Sequence, residues 1–120
     1  MNYVKFLISF FFTLIVIYIV NTQVFSFYIP AVCVTSSILL KTLVFTLILF
    51  IFVYTNKYPV SFGLLLAGGF FGIVELSVSG CIRDYINFFY LFKFNVSDLF
   101  ITLGAVGIFV SLVKDLMRRR

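Results

Sequence analysis

Glu75, Asp84, Asp98 and Asp115 are all the acidic residues in this 120-residue chain. Three of them, Glu75, Asp84 and Asp98, lie in or beside the ends of long apolar runs. An acid at the centre of a membrane helix costs about 2.5–3.5 kcal/mol on insertion scales, so such groups are functional candidates by default. Asp84 and Asp98 are 98 − 84 = 14 residues apart, and a reversal of the chain between them would bring the two carboxyls together. Two carboxyls in a shared low-dielectric site do not both ionise. One keeps a proton, the other acts as base, and the pair can activate water and protonate a leaving amine. A plainer account uses the same residues: Asp98 caps a helix from its first turn, and Asp84 pairs with neighbouring Arg83. Spacing alone favours the plainer account. Asp115, near the terminal Arg118, Arg119 and Arg120, is expected to be a solvated tail residue.

Other chemistries are poorly supplied. There is no histidine, and the two cysteines, Cys33 and Cys81, are far apart in sequence, which removes the common zinc sites and Cys-His nucleophiles. Each cysteine is expected to be a buried apolar side chain, with a disulfide between them left open. No metal and no organic cofactor is expected. The net charge is +5, but the basic residues sit mainly at segment ends and form no groove with interleaved aromatics, so nucleic acid is not an expected partner.

The elements that would position these acids are membrane spans. Hydrophobic residues make up 63% of the chain and charged ones 11%, against about 45–50% and 25% in soluble domains. Mean hydropathy is +1.23. With roughly 20 residues per span, the chain holds four or five spans in one domain, residues 1–120. The expected fold is an all-α membrane protein of four transmembrane helices, at about 4–20, 36–54, 60–78 and 98–113. Residues 21–35, more polar and containing the β-prone Val24-Phe25-Ser26-Phe27-Tyr28, are expected to form a short extended segment between helices 1 and 2, with Pro30 interrupting any helix running through. The run after Lys5 lacks a small-x-small cleavage site and reads as an uncleaved first span. Lys41 lies near a span end where its stem can snorkel to the interface. Gly63, Ala67, Gly68, Gly69 and Gly72 give the third span a close-packing face. Placing both termini in the cytoplasm leaves six basic residues inside (5, 57, 114, 118, 119, 120) and three outside (41, 83, 93), so the connections at 21–35 and 79–97 face outward.

Three stretches carry a resemblance. Ala67-Gly68-Gly69-Phe70-Phe71-Gly72-Ile73-Val74-Glu75-Leu76, then Gly80-Cys81-Ile82-Arg83-Asp84-Tyr85-Ile86, then Phe94-Asn95-Val96-Ser97-Asp98 resemble the C-terminal half of a lipoprotein signal peptidase (signal peptidase II). In that family a Gly-rich helix carries Asn-x-x-Asp-Arg, a Val-Val-Asp-Phe-like motif follows, and Phe-Asn-x-Ala-Asp starts the last helix. The likeness spans about residues 64–114. It implies four spans, an Asp84–Asp98 catalytic dyad, and Asn95 as the asparagine of the last motif. The chain departs from the pattern at Gly72, where the family has Asn, at Glu75, where it has Asp, and at Leu76, where it has Arg. Arg83 is a candidate substitute for that arginine. The Asp and Lys near the end of span one and the Asn-x-Gly motif before span two are absent.

The resemblance implies an intramembrane aspartic endopeptidase that removes signal peptides from lipid-modified prolipoproteins in the bacterial inner membrane. Asp84 and Asp98 would be catalytic, with Asn95, Glu75, Gly72 and Arg83 supporting or binding substrate. The partners would be prolipoproteins carrying a diacylglyceryl-cysteine and membrane lipids, with the protein as a monomer. A pseudoenzyme or membrane scaffold of the same fold is the second expectation, supported by Gly72 and Leu76. A small four-helix transporter or channel using Glu75 ranks below both.

Overall fold

Four apolar runs become four helices because a backbone in lipid has to satisfy its own hydrogen bonds. The computed structural model describes residues 2–26, 32–34, 37–84, 86–88 and 92–118. Its helices are α1 (Asn2–Ser26), α2 (Ile38–Thr55), α3 (Pro59–Ser79) and α4 (Val96–Arg118). Each is long and apolar enough to cross a membrane.

Local chemistry sets the boundaries. The Ser37 hydroxyl accepts the Leu40 N–H at 3.2 Å, and Asn56, in the left-handed region at φ 52°, closes α2 by donating its N–H to the Phe52 carbonyl. Pro59 opens α3 at a position whose N–H would have no partner anyway. Gly80, at φ 77°, ends α3 with its N–H on the Leu76 carbonyl, a geometry that favours glycine.

The helix α3 is the hub. It packs most extensively against α4 and α1 and less against α2. The approach to α4 is close enough that a Cβ on Gly104 would lie 2.6 Å from both the Leu65 nitrogen and the Ser61 carbonyl oxygen. An aromatic cluster ties the N-terminal half of α1 to the C-terminal half of α2 and the start of α3: Phe6 stacks on Phe52 at 4.5 Å between ring centroids, and Phe62 lies 5.3 Å from Phe52.

At the other end are four short strands. β1 (Val32–Val34) pairs antiparallel with β2 (Ile82–Asp84), and β3 (Ile86–Phe88) pairs antiparallel with β4 (Phe92–Phe94). Of residues 21–35, expected to be extended, those through Ser26 belong to α1, and the described extended backbone is the three-residue β1. Internal hydrogen bonding outweighs the β-preference of Val and Phe in an apolar run. Phe27, Tyr28 and Pro30 lie outside the described residues. The expected fourth span also begins late and ends early, since α4 starts at Val96 and continues through Lys114 to Arg118.

Candidate functional site

The β3–β4 hairpin explains how residues 14 apart in sequence meet. Its register sets Ile86 opposite Phe94, so the segments on either side, ending in Asp84 and starting with Asn95, run together. Asn95 then caps α4 reciprocally. Its side-chain Oδ1 accepts the Asp98 N–H at 3.0 Å, and the Asp98 carboxylate accepts the Asn95 N–H at 3.3 Å. The Asn95 amide Nδ2 also donates to the Asp84 carboxylate at 3.1 Å. One asparagine, 3% exposed, therefore holds both aspartates.

The surroundings of this group are protonating. Burial, then the charges of Asp98 and Glu75, push the Asp84 carboxyl up from its ordinary value of 3.8, while Lys41 opposes them. Glu75, on α3, is 8% exposed. A cavity of about 300 Å³ opens beside the group, between α2, α3 and α4. Asp98, Asn95, Ser97 and Lys41 form its polar part, while Val44, Phe45, Ile48 and Leu65 are among its apolar lining. Asp84 reaches this space through Asn95. The arrangement can hold one polar, reacting segment of a ligand against carboxyl groups while the rest lies on aliphatic and aromatic side chains.

Of the residues singled out from sequence, Asp84, Asp98 and Asn95 come together, and Glu75 acts electrostatically on Asp84. Gly72 lines the cavity; a Cβ added there would meet nothing nearer than Ile82 Cδ1 at 3.8 Å, so the wall has room for a side chain. Leu76 is buried in the helix packing. Arg83 contributes backbone to β2 opposite Cys33, and its side chain lies outside the described residues, as does its expected pairing with Asp84. The cap expected of Asp98 is present, and Asn95 bonds to both Asp98 and Asp84. Among the described residues, no grouping of three or more His, Cys, Asp or Glu side chains suits a metal ion.

Two features escaped the sequence reading, and one that it left open is decided. Lys41, at the start of α2 as expected, is half-buried and also lines the cavity. Its position within an apolar run was the signal. Asp115 is not a free tail residue, because helix α4 continues past it and its carboxylate accepts the Tyr58 hydroxyl. Cys81 is buried as expected but disulfide-bonded, and the chain's other cysteine, Cys33, lies on β1, whose partner strand begins directly after Cys81.

No protein-family model and no curated protein matches this sequence. The structure is similar to that of a bacterial membrane enzyme solved by the in meso method, with a TM-score of 0.75 and 19% identity over 96% of this chain and 91% of that one. The chain is a membrane protein with the fold of a bacterial membrane enzyme.

Proposed function

We propose that the protein is an intramembrane aspartic endopeptidase of the signal peptidase II type, cutting prolipoproteins just before the diacylglyceryl-cysteine. The observation that carries this reading is Asn95, whose amide and backbone engage Asp84 and Asp98 together beside an apolar cavity. Asp84, whose surroundings favour the protonated form, holds the proton, and Asp98 at the positive end of α4 is the base. Water loses a proton to Asp98 as its oxygen bonds to the scissile carbonyl carbon and the carbonyl π pair moves onto the carbonyl oxygen. That pair re-forms the C=O bond as the C–N bond breaks, and the Asp84 proton passes to the nitrogen, releasing the amine. The apolar walls suit the lipid-modified cysteine, which can remain at the level of the acyl chains.

The site end is proposed to face outward across a bacterial inner membrane, with both termini cytoplasmic. The basic-residue distribution supports this orientation, and so does the disulfide at Cys81, since such bonds persist in oxidising compartments. The reaction is tested by adding the purified protein to a synthetic lipidated prolipoprotein peptide in liposomes. Asp84→Asn and Asp98→Asn should each lower turnover by at least about 10³-fold while the folded protein level is unchanged. Full processing by either variant ends the peptidase reading.

A scaffold without hydrolytic activity is the second reading, favoured by the reciprocal Asn95–Asp98 cap, which needs no catalysis to explain it, and by Leu76 in place of arginine. In the same assay it gives no cleavage by the wild-type protein.

A further inference from the structure

The glycines of the bundle divide by what surrounds them. At Gly63, Gly68, Gly104 and Gly107 an added Cβ would lie 2.5–2.6 Å from an atom of the facing helix, so helix packing requires their smallness. Gly69 and Gly72 differ. An added Cβ at Gly69 would meet nothing nearer than Phe45 Cδ2 at 3.7 Å, and at Gly72 nothing nearer than Ile82 Cδ1 at 3.8 Å, both ordinary contacts. Glycine inside a helix is less favourable than alanine, so two bare positions that packing does not demand need another reason. Both line the cavity beside Asp98, and so do Phe45 and Ile82.

The room they leave adjoins the proposed reaction centre. Gly68, one residue before Gly69, is pressed against the Ser97 backbone, so this turn of α3 abuts the first turn of α4, which carries Asp98. Ile82, across from Gly72, shares a face of β2 with Asp84, two residues further on. On the α2 wall, Leu40 and Val44 are 62% and 46% exposed and form an open rim, whereas Gly69 and Gly72 are half-buried. At about 300 Å³ the cavity is at the lower end of ligand pockets and holds one segment of a ligand, not a peptide together with its diacylglyceryl group. Acyl chains can stay at the rim; the peptide next to the bond to be cut has to enter. We infer that Gly69 and Gly72 form the specificity wall of the site, leaving room for a bulky apolar side chain, of leucine or phenylalanine size, on the residue that precedes the scissile bond. This rests on the peptidase reading and names the substrate feature that the site selects.

The test uses the full-length protein in liposomes and lipidated peptides that differ only in the residue before the modified cysteine: alanine, leucine or phenylalanine. Wild-type kcat/KM should favour leucine and phenylalanine over alanine by at least about 10-fold. Gly72→Leu and Gly69→Leu fill the space and should bring that ratio to one or below. Gly72→Ala adds a methyl in ordinary contact with Ile82 and should lower the ratio part of the way, which keeps the test decisive if the larger variants fail to fold. A second measurement needs no turnover: Kd for the same peptides with the scissile amide replaced by a hydroxyethylene link should show the same order and the same loss. A wild-type protein that binds the alanine and leucine peptides alike, or folded variants that keep the wild-type preference, would overturn the inference. If the wild-type protein binds in the expected order but cleaves nothing, the peptidase reading fails while the selectivity of the wall stands.

Discussion

Asn95 concentrates more of the site than either aspartate. It is the N-terminal cap of α4, the acceptor for Asp98 and the donor to Asp84. Asn95→Ala is expected to cost about 1–2 kcal/mol of stability through the lost cap, and to abolish cleavage through the lost alignment. Thermal unfolding in detergent, paired with the peptide assay, reads both effects; a stable, fully active variant contradicts this role. Asp84 adds a pH signature. Because its carboxyl is pushed up on folding, the folded chain binds that proton more tightly than the unfolded chain does. The stabilisation is complete below the ordinary value of 3.8 and is lost as pH rises through the raised one. Asp84→Asn should therefore gain Tm relative to wild type as pH is raised, and a difference independent of pH would refute it. Thr13 sits at 0% exposure with its hydroxyl unpartnered among the described residues. Thr13→Val is expected to stabilise by about 1 kcal/mol, since the shape is kept and the unmet polar group removed.

Between elements, the α3–α4 contact has the least tolerance. A Cβ on Gly104 would fall 2.6 Å from backbone atoms of α3, which cannot rotate away as a side chain end can. Gly104→Ala should destabilise by roughly 1–3 kcal/mol and shift α4, carrying Asp98 with it, so cleavage falls along with Tm. By contrast, Gly72→Ala meets only ordinary contact distances and should leave Tm unchanged or raised. A different tie joins the strands. The disulfide at Cys81 lies at the mouth of β2, three residues before Asp84. Cys81→Ser, or reduction, is expected to lower stability by about 2–4 kcal/mol. Hydrogen exchange should then rise first in β2, and exchange unaltered there would show that the strands hold without the crosslink.

Across the whole molecule, stability and chemistry occupy opposite ends. Phe6, Phe52 and Phe62 pack together at one end of the bundle, while the cavity beside Asp98 lies between α2, α3 and α4. The proposed orientation is checked with C-terminal fusions: a green fluorescent protein should fluoresce and an alkaline phosphatase should be inactive, with the reverse pattern overturning it.

Composition and the positions of the few charges were enough to specify four membrane helices, since a backbone surrounded by hydrocarbon has little choice but to be helical. The small residues of α3 likewise announced a close-packed hub, and Phe94 to Asp98 announced a capped helix start. Sequence left undecided whether Asp84 and Asp98 meet, where Lys41 faces and what Cys81 bonds to. Each depends on contacts between residues distant in the chain: the β3–β4 register for the aspartates, the packing of α2 on α3 for Lys41, and the β1–β2 pairing for Cys81. The same limit explains the segment at 24–26: local preference pointed to strand, and the surroundings of the whole helix prevailed.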